Sequence, residues 1–154
     1  MLIQGILLPD DLLYLVEHQT WARLQPDGSA RLGITAMGLK ASGEIYMCRP
    51  KSVGTQLEQG RAMAVVELAK SIVSVKTPLS GQVLRVNTAL EECPELVWRD
   101  PYGEGWLLDL APSRLAEEQA LLHSGEAARA PMENYAWLNQ LKPQTPQTPH
   151  TPQA

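Results

Sequence analysis

Between Tyr14 and Leu110 the apolar residues fall in short alternating or β-branched runs divided by glycine and proline, without the long period-3.6 stripes of a helical bundle. This pattern predicts a mainly β domain. Trp21-Ala22-Arg23-Leu24 and Ala30-Arg31-Leu32-Gly33-Ile34 flank Pro26-Asp27-Gly28. Proline presets φ there and glycine tolerates positive φ, so a hairpin is expected. Further strands are expected at Glu44–Arg49, Ala62–Leu68, Ile72–Thr77, Gln82–Val86 and Gly105–Leu110, with helical turns at Ala36–Ala41 and Thr88–Glu92. Beyond Pro112 the pattern changes. Ser113 is placed to cap a helix through Leu122, with Leu115, Leu121 and Leu122 apolar and Gly125 past its end. A second helix is expected from Pro131 to Leu141, with Tyr135, Leu138 and Leu141 on its packing face. The boundaries follow: residues 1–142 form one folded domain, and the Thr-Pro repeats of 143–154 are expected to be disordered or extended polyproline II.

Within this frame Ala64-Val65-Val66-Glu67-Leu68-Ala69-Lys70-Ser71-Ile72-Val73-Ser74-Val75 reads as strand, short polar break, strand. Lys70 therefore sits at or near a hairpin tip. Taken alone it is a solvated turn lysine.

Composition narrows the chemistry. The 154 residues carry 13 Lys and Arg against 17 Asp and Glu, a formal charge of −4, with no basic run, which argues against a nucleic-acid surface. The apolar start Leu2–Leu8 ends at Pro9-Asp10-Asp11 without a basic flank, and it is too short for a membrane span. Cys48 and Cys93 are too few for a zinc or iron–sulfur framework or a disulfide scaffold, so a reducing cytoplasm is the expected setting. Cys48 shares the face of Tyr46 by alternation and is expected to be buried and inert. Cys93 lies in a loop with no neighbouring base to activate it. No nucleophile-elbow, P-loop or dinucleotide fingerprint is present, and His18 and His123 have no catalytic partners in sequence, so an independent enzymatic activity is not expected.

An ordered set of motifs is more specific. Trp21-Ala22-Arg23, Gly33-Ile34-Thr35, Gly43-Glu44-Ile45, Val53-Gly54-Thr55, Val65-Val66-Glu67-Leu68-Ala69-Lys70, Pro78-Leu79-Ser80-Gly81, Val86-Asn87-Thr88-Ala89-Leu90, Pro94-Glu95-Leu96-Val97 and Asp100-Pro101-Tyr102-Gly103-Glu104-Gly105-Trp106-Leu107 follow one another in the chain. In this the sequence resembles the glycine cleavage H protein and its lipoate-binding relatives. The resemblance implies a mainly β barrel-sandwich hybrid of the lipoyl/biotinyl-carrier type, with short flanking and C-terminal helices. It also implies lipoate in amide linkage on Lys70. Such a protein presents a mobile arm, while the cofactor supplies the redox chemistry. Glu67 matches an acidic position of the motif and is a candidate recognition residue for the lipoate-attaching enzyme. A biotin carrier is disfavoured, because Lys70 stands between Ala69 and Ser71 rather than between methionines.

The chain also departs from the glycine cleavage pattern. Thr20 stands where that family commonly has a Glu before the tryptophan, and Ser74 stands where it has an Asp four residues after the lipoyl lysine. Those carboxylates suit an ammonium cargo; hydroxyls hydrogen-bond but do not neutralise it. Lys76 adds a cation better suited to an anionic or sulfur-bearing cargo. His18, Thr20, Ser74 and Lys76 are accordingly candidate arm-docking residues. The leading expectation is a lipoate-binding carrier of sulfur oxidation, serving a heterodisulfide reductase-like complex with lipoate ligase and a dihydrolipoamide dehydrogenase-like flavoprotein as further partners. The alternatives are a glycine cleavage H protein conveying aminomethyl groups, and an unlipoylated interaction module of the same fold. Tyr102–Trp106 is expected to be a structural turn whose aromatics anchor the barrel.

Overall fold

The computed structural model describes residues 1–141. Its strands are β1 (Leu2–Ile3), β2 (Ile6–Leu7), β3 (Leu13–Leu15), β4 (Thr20–Leu24), β5 (Ala30–Ile34), β6 (Met47–Pro50), β7 (Gln56–Leu57), β8 (Ala62–Glu67), β9 (Ile72–Lys76), β10 (Gly81–Val86), β11 (Leu108–Pro112) and β12 (His123–Ser124). The helices are α1 (Ala36–Ser42), α2 (Leu96–Arg99), α3 (Leu115–Gln119) and α4 (Arg129–Leu138). The mainly β expectation with short helices holds.

An antiparallel sheet in the order β12-β3-β4-β5-β11-β10-β7 faces a three-stranded sheet, β6-β8-β9. One core joins them: Leu32, Leu108 and Leu110 from the larger sheet pack in the same cluster as Cys48, Val66 and Val75 from the smaller. Alternation along β3 and β4 builds a second core on the other face. Leu13 and its partner Ala22 enter the first cluster, whereas Tyr14 and its partner Trp21 enter the second, with Ile6, Met37, Met132 and Ala136. The β1–β2 hairpin made by the apolar start closes that second core.

Gly33 faces Trp21 across the β4–β5 ladder, and a Cβ there would lie 2.4 Å from the indole ring, so the close stacking of these strands requires glycine. α1 starts where Thr35 caps it: its hydroxyl accepts from the Gly38 N–H at 3.0 Å and donates to the Gln19 side chain at 2.6 Å.

Several boundaries differ from the sequence expectation. The expected strand from Glu44 starts only at Met47, so Tyr46 precedes the ladder and is 58% exposed while Cys48 is buried; the two do not share a face. The expected strand from Gly105 starts at Leu108, because Gly105 is pressed against the Leu96 and Asp100 carbonyls in a turn.

Helix α3 is shorter than expected. Arg114, not Ser113, precedes it without a side-chain cap. It stops at Gln119 because Glu118 turns inward to accept from the Ser80 N–H and hydroxyl, and the following chain joins the sheet edge as β12. Leu121 is therefore exposed, and His123 pairs with Tyr14 as a strand residue rather than ending a helix. Helix α4 begins two residues before Pro131 and buries Met132 and Ala136. Tyr135 and Leu141 pack against that core, whereas Leu138 faces away from it. The 143–154 tail lies outside the described residues.

Candidate functional site

β8 and β9 are rich in valine and pair in register from Glu67↔Ile72 to Val65↔Ser74, so the strands themselves specify a hairpin. Its end is closed by the Leu68 N–H donating to the Ser71 carbonyl at 2.8 Å, which leaves Ala69 and Lys70 as the two turn residues. Both are exposed. Leu68, by contrast, packs against the main core and anchors the turn to it. Among the described residues no carboxylate forms an ion pair with Lys70. The amine thus stands free on a rigid two-strand support, with small neighbours on both sides. An acyl group in amide linkage fits this position: no side chain need move, and no ion pair need break.

Glu67 ends β8, exposed and in register with Met47 on one side and Ile72 on the other. Ser74 and Lys76 follow at two-residue spacing on β9, on the same outward face. The Lys76 ammonium donates to the Ser74 hydroxyl at 2.8 Å. The other two candidates lie at β4 of the larger sheet and on the turn that leads into it. His18 is exposed on the 3-10 turn Val16–His18, and Thr20 is completely buried on β4, with no hydrogen-bond partner for its hydroxyl among the described residues. The structure therefore gathers Lys70, Glu67, Ser74 and Lys76 on one hairpin and joins neither His18 nor Thr20 to them by a hydrogen bond.

The two thiols differ in exposure, and Cys48 is buried as its strand position predicts. Burial pushes its pKa up to about 12, so it stays protonated at neutral pH; Cys93 is exposed. Trp106 is half-buried and packs against the second core, and the Arg31 guanidinium lies 3.9 Å above its ring.

Sequence reasoning missed a polar network that ties the site's scaffold together. Asp109, fully buried, accepts from Arg31 at 2.9 and 3.0 Å and from Arg85 at 2.8 Å. Burial pushes its carboxyl upward, but the hydrogen bonds and charges of the two arginines outweigh that and hold it below the usual range. The three lie side by side across β5, β11 and β10. Their types were visible in sequence; their register was not.

Two facing β layers that share a core and present one free lysine on a tight turn define a carrier domain. The glycine cleavage H-protein family model matches residues 12–135. The chain is 39% identical over 115 residues to the glycine cleavage system H protein of Halorhodospira halophila, covering 75% of this chain and 88% of that protein. It is 41% identical over 122 residues to that of Rubrobacter xylanophilus, covering 79% and 93%. The crystal structure of a glycine cleavage system H protein from Mycobacterium marinum superposes with a TM-score of 0.67 at 31% identity, covering 87% of this chain and all of that one. The chain belongs to the glycine cleavage H-protein family, whose members are lipoyl carriers rather than catalysts.

Proposed function

We propose that lipoate is attached to Lys70 and that the arm conveys the aminomethyl unit of glycine between components of the glycine cleavage system. The observation that carries this reading is the free, exposed Lys70 at the turn of the β8–β9 hairpin, within a chain whose relatives are named glycine cleavage system H proteins. This cargo takes precedence over sulfur on the strength of those relatives. When bound, lipoate supplies a terminal dithiolane that opens on reduction to two thiols. The chain's own part is mechanical and electrostatic. The Leu68–Ser71 pair fixes the base of the arm, Leu68 ties the turn to the core, and exposure of Ala69 and Ser71 leaves the arm free to swing. Glu67, on the same hairpin, offers the lipoate-attaching enzyme an anionic mark beside its target.

A second reading has a specific observation behind it. Ser74 and Lys76 put a hydroxyl and an ammonium, 2.8 Å apart, on the strand leading from Lys70. An ammonium repels a protonated amine and attracts a thiolate or persulfide. That chemistry supports a sulfur cargo handed to a heterodisulfide reductase-like complex, with reoxidation by a dihydrolipoamide dehydrogenase-like flavoprotein. Cytoplasmic residence is part of both readings.

The test is transfer of radiolabel from glycine to the lipoylated protein in the presence of a glycine decarboxylase. Label that requires Lys70 supports the glycine reading. No label from glycine, with extra sulfur acquired by the arm from a persulfide donor, replaces it with the second. A protein that no lipoate-attaching enzyme modifies would be an interaction module only.

A further inference from the structure

The three-stranded sheet has one face in the core and one in solvent, and the pairing register says which residues occupy the outer one. Met47, Glu67 and Ile72 form a row across β6, β8 and β9 next to the Lys70 turn. Arg49, Val65 and Ser74 form the next row, and Ala62 pairs with Lys76 in the one after. One further cation, Lys51, continues the face at its far end and is exposed. Its N–H donates to the Met63 carbonyl, whereas Arg61, one residue before Ala62, alternates to the opposite side.

The face is therefore graded. Near Lys70 it is apolar: Ile72 is 68% exposed and Met47 36%. Away from Lys70 it is cationic, with Arg49, Lys51 and Lys76 each free of any ion pair among the described residues. Glu67 is the carboxylate in these paired rows; Glu58 lies below them, its carbonyl accepting from the Arg61 N–H. This concentration of positive charge occurs in a chain whose net charge is −4. Exposed Met and Arg are also residue types that protein interfaces favour.

We propose that this outer face is the docking surface for the lipoate-attaching enzyme, whose matching surface is acidic opposite the cations and carries, beside its active-site mouth, an apolar spot with a hydrogen-bond donor for Glu67. The inference rests on Lys70 as the attachment site. The occupant follows from reach. An enzyme that forms the amide at Lys70 Nζ must bring its active site down to the turn itself, so its surface has to cover the adjoining sheet. Enzymes that act later meet the far end of the arm and need not touch the sheet. Charge complementarity then sets the sign: carboxylates opposite Arg49, Lys51 and Lys76 steer the encounter, while Ile72 and Met47 supply the dehydrated contact.

The experiment mixes the unlipoylated full-length protein with the purified lipoate-attaching enzyme from the same source. A zero-length carbodiimide then couples lysines to touching carboxylates, and the joined peptides are mapped by mass. Coupling of Lys51 and Lys76 to enzyme Asp or Glu is expected. Coupling confined to Lys40 or the amino terminus, or none at all, overturns the proposal.

In parallel the rate of lipoyl incorporation is followed by intact mass. Raising salt from about 0.01 to about 0.3 M should slow it about 10-fold or more, and the double variant Arg49→Glu, Lys51→Glu should slow it similarly at low salt and lose the salt dependence. A rate indifferent to both changes overturns the proposal. Coupling does not require a lipoylated product, so coupling through Lys51 and Lys76 without any mass gain at Lys70 would sink the attachment site while leaving the docking face standing.

Discussion

At the scale of single residues, Asp109 is the group on which the larger sheet depends most. Its carboxylate is fully buried between two arginines that are themselves partly solvated. Asp109→Asn leaves both guanidiniums facing a neutral amide, and a loss of about 3 kcal/mol in urea unfolding at pH 7 is expected. The acid limb gives a second check. A carboxyl held below its unfolded value stabilises the fold at pH above about 4 and loses that contribution as pH falls through the depressed folded value, so the variant should show a flatter decline below about pH 4 than the parent. Equal acid slopes would remove Asp109 from the account. Trp106 belongs to the same network through its stacked Arg31. Being half-buried, it should cost about 1–2 kcal/mol on substitution by Ala, less than a fully buried tryptophan. The two thiols separate more sharply: a disulfide reagent should titrate Cys93 in the native protein and reach Cys48 only on unfolding.

At the scale of elements, the β8–β9 hairpin and the Tyr102–Trp106 turn were legible in sequence for different reasons. The hairpin shows itself by β-branched runs around a short polar break. The turn shows itself by its glycines, and the structure gives the cause: a Cβ at Gly105 would lie 2.2 Å from the Leu96 carbonyl oxygen, a backbone atom that cannot swing aside. Gly105→Ala is therefore expected to lower the melting temperature by several degrees with no change at Lys70, checked by calorimetry. Helix ends were harder to read. Ser113 looked like a cap and Leu121 like a core position, but the length of α3 is decided by Glu118 reaching Ser80, 38 residues away in sequence, a long-range bond that no local pattern announces. The Leu138 misreading is a matter of phase, since the buried pair Met132 and Ala136 defines the packing face of α4 and leaves Leu138 off it. The candidate site divides in the same way. Lys70, Glu67, Ser74 and Lys76 are neighbours because they share one local hairpin, whereas the placement of Thr20 inside the larger sheet depends on long-range packing.

At the scale of the whole molecule, two cores meet at β3 and β4, one between the sheets and one under α4, so the hairpin that carries Lys70 projects from a scaffold braced on both sides. Carrier function needs that combination of a stiff base and a free amine. Changing the amine should then leave the scaffold intact: Lys70→Arg is expected to unfold with an unchanged midpoint while accepting no lipoate. The most direct measurement is the mass of the peptide containing Lys70, taken from protein isolated from its native source. The account predicts a lipoyl increment on Lys70, absent from every other lysine. A bare Lys70 in protein drawn from cells that make lipoate, or lipoate on a different lysine, would contradict it.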